Sequence, residues 1–313
     1  MHPAIPEAHT ALRGCVVAQP AGIKPRTLIT RVATALVFGL IAIGALLVGN
    51  RFFILPALCS IICFIGIREF YRLTAPHLSV LPRAIGLIMG ASLPLFVALA
   101  RTYSDLEPVL GTGGLSGLAP IFFAVAFGSF ALMSWVAFTP TSTAKEAALA
   151  LFGALYLGVP FSALVLIREM EGGTVLAAMT VVSVWAADTF AYFGGSLLGR
   201  HKIAPVISPK KSWEGFIAGI CGSILVWILV PYLTGVQVPA ISAVLVGTVI
   251  ALAAFVGDLF ESRLKREAQV KDSGTLLPGH GGMLDRIDSM LPVAMLLFIV
   301  LSLAGAILGI KGS

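Results

Sequence analysis

From about residue 32 onward the chain is a series of long apolar runs separated by short polar stretches. A helix that crosses a membrane needs roughly 20 mostly apolar residues. Runs of that kind fall at about 32–50, 52–67, 84–100, 118–138, 147–167, 174–194, 214–234, 240–257 and 289–310. The pattern predicts an all-α polytopic membrane protein of about nine transmembrane helices, the second and third being the shortest. No internal repeat stands out, which argues against an inverted-repeat transporter.

The basic residues orient these runs. With the N-terminus placed inside, only Arg51, Arg101, Arg168 and Lys311 of the 21 Lys and Arg fall outside. Such a bias predicts a multi-pass protein of a bacterial-type cytoplasmic (inner) membrane, with the N-terminus cytoplasmic and the C-terminus outside. Three regions are expected: a cytoplasmic tail at 1–30, transmembrane helices at 31–145, and a C-terminal transmembrane catalytic region at 146–313. The tail holds Pro3, Pro6, Pro20 and Pro25 and no apolar run, unlike a signal peptide.

Composition narrows the class. Hydrophobic residues make up 58% and charged residues 12%, against about 25% charge in soluble domains. A soluble enzyme and a disordered chain are both excluded. Cys59 and Cys63 lie four apart inside an apolar run with no His or acid beside them, so packing thiols are expected rather than a zinc site. The Gly111–Gly117 stretch lacks the Lys of a phosphate loop and reads as a connector.

The two richest polar segments, about 195–213 and 258–288, fall on the predicted cytoplasmic side. Six of the 15 acids lie in the second: Asp258, Glu261, Glu267, Asp272, Asp285 and Asp288. Asp258 and Glu261 share a face if the eighth helix continues past the membrane, and Lys265 extends that face. Asp285 and Asp288 repeat the spacing where the ninth helix begins. Two such carboxylate pairs meeting near the membrane surface suit Mg²⁺, with room for a second cation. Lys265, Arg266, Lys271 and Arg286 supply charge for phosphate oxygens. His280, in the turn Pro278-Gly-His-Gly-Gly282, is a further candidate for a phosphate contact, and the glycines allow close approach to a ligand. Asp188, an acid inside the sixth run, is expected to face the same polar cavity, a structural ion pair being the alternative. Ser212 is placed to cap the seventh helix, with Lys210 and Lys211 beside an N-terminus that favours phosphate. Gly215 and Gly219 read as a helix-packing pair. A plain juxtamembrane loop holding anionic lipid heads would explain the basic residues but not the six acids.

The stretch Ser262-x-Leu-Lys-Arg-x₄-Lys271-Asp-x-Gly-x₂-Leu-Pro-x-His280-Gly-Gly-Met-x-Asp285-Arg-Ile-Asp288 resembles the signature of phosphatidate cytidylyltransferases. Trp185-Ala-Ala-Asp-Thr-Phe-Ala-Tyr and Ser208-Pro-Lys-Lys-Ser-Trp-Glu-Gly resemble that family too, over roughly residues 150–310. The resemblance implies an Mg²⁺-dependent enzyme that converts CTP and phosphatidate to CDP-diacylglycerol and pyrophosphate in a cytoplasm-facing polar cavity. Its partners would be those substrates and the bilayer, with no nucleic acid, and family members can be homodimers. It implies Asp258 and Asp285 as metal ligands supported by Glu261 and Asp288, with Asp258, Lys265, Asp285 and Asp288 catalytic. Ser262, Lys265 and Arg266 would contact phosphates. A related enzyme with another lipid acceptor and a transporter with a gating loop are the rival readings.

Overall fold

The computed structural model describes residues 37, 39–48, 53–102, 119–234, 238–276 and 281–308. Among them, eight helices are long and apolar enough to cross a membrane. In chain order the elements are α1 (Gly39–Val48), α2 (Ile54–Thr74), α3 (Val80–Thr102), α4 (Ala119–Phe138), α5 (Ala144–Glu169), α6 (Gly173–Leu198), the strands β1 (Lys202–Ala204) and β2 (Ser208–Ser212), α7 (Trp213–Thr234), α8 (Ala240–Glu267), the single turn α9 (Leu284–Ile287) and α10 (Met290–Leu308). Predicted spans two to nine are all present as helices. The run at 32–50 lies partly outside the described residues, and its described part is α1. Residues 1–30 and Gly111–Gly117 also lie outside them.

Two helices run well past their apolar cores. The apolar pattern of α2 stops before Arg68, yet the helix continues to Thr74; that of α8 stops at Gly257, yet the helix continues to Glu267. Both extensions place basic residues in the last turn, where the partial negative charge of the helix end favours them.

Small residues set how closely the helices approach. A Cβ on Gly215 would lie 2.8 Å from the Ala191 carbonyl, and one on Gly219 would lie 3.0 Å from that of Ala187, so α7 packs on α6 as the small-residue pair predicts. α3 meets α5 through Gly90 and Gly158. The Tyr71 hydroxyl donates to the Ala150 carbonyl at 2.6 Å, joining α2 to α5. Phe152 stacks on Tyr156 with centroids 5.8 Å apart, and Phe260 of α8 meets Tyr156 edge-on at 5.3 Å. Cys59 and Cys63 are buried packing thiols, as expected. The Phe122, Phe123, Phe127 and Phe130 side chains of α4 stay exposed, which suits a helix in contact with acyl chains.

Contacts between helix ends follow the predicted alternation. Arg168 Nε donates to the Leu46 carbonyl at 2.9 Å, so the ends of α1 and α5 meet. At the opposite end, Ser79 N and Oγ donate to Glu146 Oε1 at 3.1 and 2.8 Å. The β1–β2 hairpin is an addition to the all-α expectation, pairing Lys202 with Ser212 and Ala204 with Ser208. Pro205 and Pro209 disfavour a helix there, and Gly215 N donates to Ser212 Oγ at 3.2 Å, giving the expected cap on α7. Glu214 secures the hairpin entrance by accepting from Arg200 N at 3.1 Å and pairing with His201 Nδ1 at 2.7 Å.

A Cβ on Gly90 would sit 2.5 Å from Ile67 Cδ1 and 2.8 Å from the Ala154 carbonyl. Gly90→Val is therefore expected to cost at least about 1–3 kcal/mol by overpacking. The check is the thermal midpoint of the detergent-solubilised protein, and an unchanged midpoint would contradict this packing.

Candidate functional site

The site is organised around Lys265. Its ammonium reaches Asp285 Oδ1 at 2.7 Å and pairs with Glu261 Oε2 one helical turn back. The three side chains are 13%, 6% and 0% exposed in the order Lys265, Asp285, Glu261. The spacing of Glu261 and Lys265 on the extended end of α8 makes this possible. Asp285 comes from α9, across the loop that follows α8.

The second oxygen of Asp285 holds that loop. Oδ2 accepts from Ser273 N and Gly282 N, both at 2.8 Å, and from Ser273 Oγ at 2.9 Å. Glu69, at the end of α2, makes a second clamp: it accepts from Met283 N at 3.0 Å, Leu284 N at 2.8 Å and Ser273 Oγ at 3.0 Å. The Ser273 hydroxyl has one hydrogen, so the two carboxylates share it. Glu69 thereby satisfies amides at the start of α9 that have no partner within the helix. The glycines of the turn face these acids. Gly281 has φ +83°, and a side chain on Gly281 or Gly282 would collide with Asp285 or Glu69. The close approach expected toward a ligand is here an approach to the protein's own carboxylates.

Beside the clamp is a cavity of about 660 Å³ bounded by α6, β2, α7, α8 and the loop. Its wall carries Lys202, Lys210, Lys211, Lys265 and Arg286 together with Asp188, Asp258, Asp272, Asp285 and Asp288. Lys211 Nζ pairs with Asp258 Oδ2 at 2.8 Å and lies 4.6 Å from the centre of the Phe255 ring. Asp258 also accepts from Ser262 Oγ at 3.3 Å, and Asp288 Oδ1 accepts from Ser289 N at 2.7 Å. Asp188, Asp258 and Asp288 are close enough to repel one another electrostatically. No group of three His, Cys, Asp or Glu side chains among the described residues is tight enough to hold a metal alone. That arrangement fits Mg²⁺, which takes one or two carboxylates and completes its shell with substrate phosphates and water.

The sequence candidates thus divide by place. Asp188, Asp258, Asp285, Asp288, Lys210, Lys211, Lys265 and Arg286 line the cavity. Glu261 is buried behind Lys265, and Ser262 is buried against Asp258. Arg266 points to the hairpin, donating to the Ile207 carbonyl at 3.4 Å. Lys271 is exposed away from the cavity wall, and His280 lies outside the described residues. Sequence reasoning missed Glu69, because the apolar count ended its helix at residue 67. The available signal was Phe70, Tyr71 and Leu73 continuing a helical pattern past an isolated acid.

The model of the cytidylyltransferase family matches residues 29–304. The chain belongs to the cytidylyltransferase family. The phosphatidate cytidylyltransferase of Bacillus subtilis (strain 168) is 33% identical over 276 residues, covering 87% of this chain and 97% of that protein. Those of Mycobacterium bovis and Rickettsia bellii are 44% identical over 144 residues and 35% identical over 193 residues. The former match covers 46% of each chain, and the latter covers 58% of this chain and 81% of that protein. The family match includes Glu69 as well as the signature loop, so the clamp joins parts of one matched unit. This cytidylyltransferase is a multi-pass membrane enzyme.

Glu69→Ala would leave the Met283 and Leu284 amides without their acceptor, at about 1–3 kcal/mol for each buried orphan, while Ser273 Oγ keeps Asp285. Hydrogen exchange over residues 270–290 is expected to speed up markedly in Glu69→Ala and less in Glu69→Gln, which keeps one carbonyl acceptor. Exchange as slow as in the native protein would show that the clamp is dispensable.

Proposed function

We propose that this chain transfers the cytidylyl group of CTP to phosphatidate, giving CDP-diacylglycerol and pyrophosphate. The observation that carries the proposal is a single cavity lined by five basic side chains and five carboxylates at the ends of apolar helices. It offers counter-charge to two polyanions while leaving the acyl chains of one of them in the bilayer. The relatives named phosphatidate cytidylyltransferase support the same acceptor.

In this reading a phosphatidate phosphate oxygen attacks the α-phosphorus of CTP. A new O–P bond forms as the bond from the α-phosphorus to the bridging oxygen of the β-phosphate breaks, and pyrophosphate leaves with that electron pair. Phosphatidate needs no strong base, since its second ionisation lies near pH 6–7. The chain's work is to position the reactants and neutralise charge. Lys210, Lys211 and Arg286 engage phosphate oxygens. Lys265, fixed by Glu261 and Asp285, presents its charge from a set position. Asp258 and Asp288, with Asp188 beside them, are the residues that would hold Mg²⁺, while Asp285 is engaged by Lys265 and the loop. Bound Mg²⁺ would neutralise phosphate charge and stabilise the leaving pyrophosphate. In orientation, the cavity and N-terminus are cytoplasmic, where CTP is found.

The test is transfer of label from α-labelled CTP into extractable lipid by purified protein. Label is expected only with phosphatidate and Mg²⁺ both present. Asp258→Asn and Asp288→Asn should each lower kcat by about 10²–10³-fold with the thermal midpoint retained. No transfer to phosphatidate by folded protein would overturn the acceptor, and normal turnover in both variants would overturn the ligand assignment. A reporter fused after Ser313 is expected to signal from outside the cytoplasm, and a cytoplasmic signal would reverse the orientation.

A further inference from the structure

A second cavity, of about 400 Å³, lies between the end of α2 and the start of α3 and shares no lining residue with the first. Its wall is Arg68, Tyr71, Arg72, Pro76, Arg83 and Leu87. We propose that it binds the phosphate of an anionic phospholipid headgroup, as a site separate from the catalytic cavity.

Charge is the first argument. Three guanidinium groups surround this space, and no carboxylate among the described residues pairs with them. Glu69 on α2 and Glu146, which bonds the α2–α3 connection, are engaged elsewhere: Glu69 holds the Ser273–Leu284 loop, and Glu146 accepts from Ser79. Arginines gathered around a cavity without acids favour an anion, and the planar guanidinium matches phosphate.

Preorganisation is the second. Arg83 Nη2 donates to the Leu78 carbonyl at 2.8 Å and the Pro76 carbonyl at 3.3 Å, which fixes the side chain. Its Nε is buried without an acceptor, a costly state that a phosphate oxygen would relieve. Tyr71 forms a rigid wall, its hydroxyl committed to Ala150. The volume lies within the roughly 300–1,000 Å³ usual for small-molecule sites.

The lipid assignment comes from what continues beyond the arginines. Ile61, Phe64, Arg68 and Arg72 follow helical spacing along one face of α2, and Ile61 and Phe64 are 58% and 43% exposed. The Arg68 guanidinium stands 5.8 Å from the centre of the Phe64 ring. A headgroup held by the arginines would therefore have an apolar track for its acyl chains directly below. Glu69 lies on the same helical turn, so an occupant bears on the end of α2 that clamps the loop.

The test is native mass spectrometry of the full chain in detergent, with phosphatidylglycerol and phosphatidylcholine as probes. Arg68→Gln/Arg72→Gln is compared with wild type, leaving Arg83 and its backbone bonds intact. Phosphatidylglycerol retention is expected to fall on the order of tenfold or more, with phosphatidylcholine retention unchanged. Should the double variant lose its thermal midpoint, Arg72→Gln alone gives the same comparison. Retention that millimolar inorganic phosphate displaces assigns the site to the phosphate group itself; retention that it does not displace assigns it to the whole lipid headgroup. Equal phosphatidylglycerol retention by wild type and variant overturns the site. The readout is binding, so it stands apart from the result of the transfer assay.

Discussion

Lys265 sits between two carboxylates in a pocket almost closed to solvent, and the geometry of the site depends on that arrangement. Removing an ion from water costs several kcal/mol, which is recovered only where partners and hydrogen bonds are well placed. Here the recovery needs Glu261 from α8 and Asp285 from the far side of the loop. Asp285 in turn must receive Ser273 and Gly282.

The carboxylates form two groups with different surroundings. Glu261, Asp285 and Glu69 are engaged by the protein's own cations, amides and hydroxyl. Asp188, Asp258 and Asp288 line the open cavity, Asp258 pairing with Lys211 at its wall and Asp288 nearly buried. The separation has an electrostatic consequence: acids already occupied by the protein's own cations and amides shape the walls while adding little uncompensated negative charge to the cavity. The acids that border the cavity are few enough for Lys202, Lys210, Lys211, Lys265 and Arg286 to balance them.

Much of this was legible in the sequence. The spans from the second to the ninth, the cap at Ser212, the packing role of Gly215 and Gly219, and the face shared by Glu261 and Lys265 all follow from local spacing. What was not legible depends on contacts between distant parts of the chain. An isolated acid such as Glu69 has no local signature of its partners, which lie more than 200 positions away. The hairpin at 202–212 was missed because its strands are short and its prolines read as loop. Spacing also cannot tell whether a glycine yields to a ligand or to a neighbouring carboxylate, and Gly281 and Gly282 do the latter.

The bond from Glu69 to Met283 spans 214 positions, and that separation acquires a meaning in time during synthesis. At roughly 5–20 residues per second, about 10–40 s pass between translation of the acid and translation of its amide partners. Over that interval α2 stands in the bilayer with a carboxylate awaiting its donors, and the loop that borders the cavity does not yet exist. The clamp can close only after the loop ahead of the final helix has been made. A chain truncated before that point would have the helices through α8 and no clamp on the loop.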